Sequence, residues 1–138
     1  MERFFEMANY YKEDLELPVN VWLDENETYK LGKHGKRIKF QINYMDKIRE
    51  EYMCPMMLNG EIPPKIYKKL ANKKDWEIST RDLERVRNFV INNAYALDFM
   101  CDQKLRRKDF DKIVIKGGNF ASDEEVENQI KLVNELSV

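Results

Sequence analysis

His34 is the only histidine of this chain, and imidazole is the side chain that exchanges a proton near neutral pH. It stands in Tyr29–Asn43, YKLGKHGKRIKFQIN, between Gly32 and Gly35 and beside Lys33, Lys36 and Arg37. A neutral imidazole next to guanidinium and ammonium groups suits metal-independent, toxin-like RNA cleavage. His34 would accept the 2′-hydroxyl proton while Arg37 or a lysine stabilises the phosphorane. The same residues suit phosphate binding without catalysis, since five of the ten residues 30–39 are Lys or Arg. Lys33, His34, Lys36, Arg37 and Lys39 are the candidate anion contacts, with Trp22 or Tyr29 on adjoining strands available to stack bases. Two plainer readings compete: a turn histidine that shapes its loop, and an edge strand whose lysines discourage strand pairing.

Other chemistries find less support. GKHGK lacks the GxxxxGK[ST] spacing of a phosphate-cradling loop. Asp24-Glu25-Asn26-Glu27 gathers oxygen ligands, but a calcium loop counted from Asp24 would need glycine at Tyr29 and glutamate at Gly35. One histidine and two scattered cysteines do not make a zinc site, so no metal and no cofactor is expected. Asp46, Glu61, Asp75 and Glu77 form no E-x-K nuclease triplet. Cys54 and Cys101 lie outside any CxxC motif, and Cys101 falls on an apolar stripe; both read as buried thiols in a reducing compartment. Lys104, Arg106, Arg107 and Lys108 form a second basic cluster, at a spacing that also suits a helix C-terminus.

The elements that position these residues follow from periodicity. Phe4, Ala8, Tyr11 and Leu15 share one face of a helix over 2–15, widened by Phe5 and Tyr10. Exposed, that aromatic face would be a dimerisation or partner-binding element. Val19, Val21 and Leu23 alternate as a strand, Asp24–Glu27 is a polar turn, and Thr28–Leu31 returns as a short strand. Lys36–Ile42 is the clearest strand: Ile38, Phe40 and Ile42 point inward, and Arg37, Lys39 and Gln41 to a wet face. Met45, Ile48 and Tyr52 suit a helical turn, Met53–Leu58 a strand ending at the Asn59-Gly60 turn, and Lys65–Asn72 a short helix. Leu83, Val86, Val90, Ala94, Leu97 and Cys101 predict one long helix over about 80–101, opened by Ser79 with Asp82. Ile113–Ile115 reads as a strand. Ser122 with Glu125 caps a final helix whose inward residues are Val126, Ile130, Val133 and Leu136 or Leu132.

This order predicts an α+β fold: a mainly antiparallel sheet covered by the long helix, with additional N-terminal and C-terminal helices. The 138 residues suit one domain, and Lys104–Asp111 is the place where a C-terminal appendage, 104–138, would begin. The net charge of −1 hides a basic centre: residues 28–118 carry 21 bases and 12 acids, between acidic ends. A basic centre can bind an anion or be neutralised by its own ends. With neither a signal peptide nor a long apolar run in view, a cytoplasmic protein without membrane contact is expected.

The runs LPVNVWLDE (17–25) and GKHGKRIKFQ (32–41), with Tyr29 between them and NFVINN (88–93), resemble a family of small bacterial α+β proteins. The resemblance covers roughly residues 15–100. It implies a domain without assigned activity and supplies no catalytic residues. The residues themselves favour a non-catalytic binding domain that offers the 30–39 hairpin to an anionic partner such as nucleic acid. A ribonuclease using His34 and Arg37, and an interaction or dimerisation module using the aromatic N-terminal helix, are the alternatives.

Overall fold

A computed structural model describes residues 7–32 and 34–138. It contains one four-stranded antiparallel sheet, in the order β1 (Met7–Tyr10), β2 (Val21–Asp24), β3 (Arg37–Gln41) and β4 (Met53–Met57). Register sets the faces. Tyr10 lies opposite Val21, Val21 opposite Phe40, and Phe40 opposite Cys54. One face therefore collects Ala8, Leu23, Ile38 and Met56 as well, all buried.

Six α-helices accompany the sheet among the described residues: α1 (Lys12–Leu15), α2 (Pro64–Leu70), α3 (Thr80–Asn92), α4 (Ala94–Cys101), α5 (Arg107–Ile113) and α6 (Asp123–Leu136). Val86, Phe89 and Val90 of α3 and Leu97 and Met100 of α4 join the sheet residues in one apolar cluster. Each such side chain contributes about 1.5–3 kcal/mol when fully buried. Leu105, Phe110 and Val133, from the region expected to form an appendage, belong to the same cluster. The architecture is α+β. No helix among the described residues is long and apolar enough to cross a membrane.

Several expectations are corrected. Residues 7–15 form a strand and a single helical turn rather than one helix, while Phe4 and Phe5 lie outside the described residues. The helical spacing of Ala8, Tyr11 and Leu15 loses to pairing with β2, which supplies ladder hydrogen bonds and buries Tyr10 beside Phe110. Thr28–Leu31 is a 3₁₀ turn, not a strand. The Asp24 carboxylate accepts the N–H groups of Asn26, Thr28 and Tyr29 at 3.0, 3.0 and 3.1 Å, which curls the chain locally. Of the helical turn expected over 45–52, only a 3₁₀ turn at Glu50–Tyr52 forms.

The expected helix over 80–101 is divided at Asn93, whose φ of −109° and ψ of 13° fall outside helical geometry. Ile113–Ile115 forms no ladder; Ile113 ends α5, and Ile115 is held by the Asn93 side chain. Both expected caps are present, with Ser79 accepting from the Asp82 N–H and Ser122 from that of Glu125. Gly60 adopts the left-handed φ of 88° that its turn requires.

The second face of the sheet is largely covered rather than wet, with Lys39 alone of the three expected residues half-buried. Arg37 is 6% exposed, Gln41 0% and Trp22 1%. Trp22 and Met53 pack with Ile48 from the connection between β3 and β4. Gln41 Nε2 donates to Asn43 Oδ1 at 2.8 Å and to the Met45 carbonyl at 2.9 Å, so the same connection accepts the N–H groups of the amide it covers. Along β4, the edge strand on that side, the Met53 N–H donates to the Glu50 carbonyl and the Met57 N–H to the Glu61 carbonyl at 2.8 Å; Pro55 between them has no N–H.

Candidate anion-binding pocket

Side chains two residues apart on a strand share a face, so β3 sets Arg37 and Lys39 together. β4 places Pro55 opposite Lys39 and Met53 opposite Gln41. The 3₁₀ turn ends at Leu31, and the loop that follows brings His34 over the same region. Leu31, His34, Arg37, Lys39, Met53 and Pro55, with Gly32, line a pocket of about 410 Å³. The volume lies in the range of small-ligand sites. His34, Arg37 and Lys39, three of the five candidate anion contacts, thus meet at one place.

Arg37 is folded beneath the loop. Its Nη1 donates to the Gly35 carbonyl at 3.4 Å, and a Cβ on Gly32 would lie 3.4 Å from Nη2. The apolar wall comes from Met53, Pro55 and Leu31, the last of which is 57% exposed. Lys33 lies outside the described residues.

Lys36 is not brought to this pocket. Its ammonium binds Asp98 Oδ1 at 2.8 Å and also Asp102 Oδ2, both at the C-terminal end of α4. The Tyr29 hydroxyl donates to Asp102 Oδ1 at 2.5 Å, and Lys36 Nζ stands 5.6 Å from the centre of the Tyr29 ring. Burial alone would draw the Lys36 pKa down, but hydrogen bonds and charge from Asp102 and Asp98 outweigh it and hold the ammonium protonated. The hydrogen bond to Asp102 raises the Tyr29 pKa. Lys30 pairs with Glu27, so part of the basic hairpin is neutralised by its own neighbours.

Base stacking on Trp22 is excluded by burial; the Tyr29 ring, half-buried, has Lys36 against it. Both cysteines are buried free thiols, and burial pushes each pKa up to about 12, which leaves them poor nucleophiles. Among the described residues no group of three His, Cys, Asp or Glu side chains converges.

A second cleft of about 470 Å³ was not foreseen. The Tyr10 hydroxyl donates to Asp111 Oδ1 at 2.5 Å, and the Arg107 guanidinium stands 4.7 Å from the Tyr10 ring centre. Arg107, read in the sequence as part of a basic cluster, also donates to the Asn9 carbonyl at 2.9 Å and so ties α5 to β1. Asp98, Asp102 and Asp111 carry no signal in the sequence: Asp102 is 66 residues from Lys36 and Asp111 101 from Tyr10, and no local pattern links them. Comparison with protein-family models, with curated proteins and with solved structures finds no match to this chain.

Proposed function

We propose that this chain is a binding protein whose pocket at His34, Arg37 and Lys39 receives a phosphate group of a nucleic acid. The observation that carries the reading is the lining: an imidazole, a guanidinium and an ammonium meet in one pocket. Arg37 supplies planar paired donors and Lys39 a mobile point charge, the usual combination for a phosphate. The loop backbone at Gly32 packs on the Arg37 guanidinium and holds it at the pocket, with Nη2 3.4 Å from where a Cβ would stand. Trp22 is buried, so the reading predicts phosphate contact with little base preference.

Anisotropy titration with generic single-stranded RNA and DNA at low salt tests this. Binding is expected to weaken with a log–log salt slope of about 0.7 per phosphate engaged. Lys39→Ala and Arg37→Gln are each expected to weaken it about tenfold, with thermal melts confirming that the variants fold. Absence of binding at low salt, or variants that bind like the wild type, would refute the reading.

One observation favours a second reading. His34 and Arg37 line the same pocket, so a proton acceptor and a charge stabiliser share one space. Incubation of RNA with wild type and His34→Ala in chelator decides it: cleavage lost with the imidazole supports a ribonuclease, and equal cleavage or none rejects it.

A further inference from the structure

The loop that carries the pocket's upper wall is fastened at both ends to one side chain. Tyr29, within the 3₁₀ turn, donates its hydroxyl to Asp102 Oδ1 at 2.5 Å. Lys36, at the entry to β3, binds the other oxygen, Oδ2. Asp102 is the residue that ends α4, whose Ala96, Leu97 and Met100 are locked into the core. Between the fastened ends lie Leu31, Gly32 and His34 of the pocket.

The backbone reinforces the arrangement, since the Glu27 N–H donates to the Cys101 carbonyl at 3.0 Å. Asp98 adds a second oxygen for Lys36 at 2.8 Å but makes no bond to Tyr29. The Asp102 carboxylate binds both ends of the loop.

We propose that Asp102 is the positioning residue of this pocket, its two oxygens clasping residues 29 and 36 so that the intervening loop holds His34 and Gly32 over Arg37. The consequence for binding rests on the anion-binding reading; the clasp itself does not. A carboxylate that merely balanced charge would act differently. Removing it would leave Lys36 with Asp98 alone, add net positive charge and raise affinity for a polyanion. A positioning carboxylate has the opposite effect on removal, because a loosened loop pays its ordering entropy on binding.

The test uses the full chain as wild type, Asp102→Ala and Tyr29→Phe. Amide hydrogen exchange without ligand is read first, and affinity for generic single-stranded RNA second. The expected result is exchange over 29–36 faster by about tenfold in Asp102→Ala and by less in Tyr29→Phe, with β2 and β4 unchanged. RNA affinity is expected to fall about fivefold in Asp102→Ala despite the added positive charge. Unchanged exchange over 29–36, a rise spread evenly over the sheet, or an affinity that stays or increases would overturn the proposal. Should Asp102→Ala fail to fold, Tyr29→Phe decides by the same criteria. If wild type binds no RNA, the anion-binding reading falls, and exchange alone still decides for or against the clasp.

Discussion

Consecutive residues of an extended chain point to opposite sides, and that parity separates Lys36 from Arg37. In the sequence they are equivalent cations of one basic run. In the fold one is ion-paired to α4 and the other lines a pocket. The convergence of Arg37 with Lys39 was legible, because it follows from strand period alone. The partners of Lys36 were not, because Asp98 and Asp102 reach it through tertiary packing. Asp102 also makes acid stability a residue-scale property. Burial pushes its carboxyl up, but the hydrogen bonds from Lys36 and Tyr29 outweigh this and hold it below its ordinary 3.8. A folded value below the unfolded one means that the stabilisation is fully present above the unfolded value and is lost as pH falls through the folded one. The stability advantage of wild type over Asp102→Asn is therefore expected to be constant above roughly pH 5 and to shrink below 3.8. Urea denaturation at stepped pH measures it, and an advantage that does not change down to acid pH would contradict the ion pair.

At the scale of elements, Asn93 shows why a continuous apolar stripe does not guarantee a continuous helix. Leu83 to Cys101 keeps helical spacing across the break, so hydrophobicity carries no trace of it. The Asn93 amide, 0% exposed, donates to the Phe89 and Ile115 carbonyls, each at 2.9 Å. Its oxygen accepts from the Ile115 N–H at 2.9 Å and Gln129 Nε2 at 2.7 Å. Such local competition with the backbone is what asparagine does, and only the partners in the 113–115 segment and α6 explain why it does so here. Asn93→Ala strands several of these buried groups at once, each costing about 1–3 kcal/mol. A loss of at least ~3 kcal/mol in chemical denaturation is expected, and a loss under ~1 kcal/mol would mean that the break is incidental. The N-terminal strand was missed for a related reason: its ladder partner, β2, decides what its own spacing leaves ambiguous.

For the molecule as a whole, Phe110 tests how far the last third of the chain depends on the rest. It is 0% exposed, meets Tyr10 edge to face at a centroid distance of 6.3 Å, and shares a cluster with the sheet. Phe110→Ala is expected to cost about 3–5 kcal/mol and to lower the midpoint of one unfolding transition. A separate early transition, with the sheet unaffected, would instead mark 104–138 as an appendage. The overall α+β layering was readable because Ile38, Phe40 and Ile42 alternate so regularly, and all three are buried. The cover on the second face was not, since it depends on Ile48 and Asn43 returning across the sheet from an irregular connection.

The outer rim of β4 bears on how copies of this chain meet one another. Strand addition needs donors as well as acceptors along the exposed edge. Of the three alternate positions facing outward there, Met53 and Met57 have already spent their N–H groups on Glu50 and Glu61, and Pro55 has none to give. An incoming strand would find carbonyls alone, so growth of the sheet into a continuous ribbon or fibril is blocked along this side.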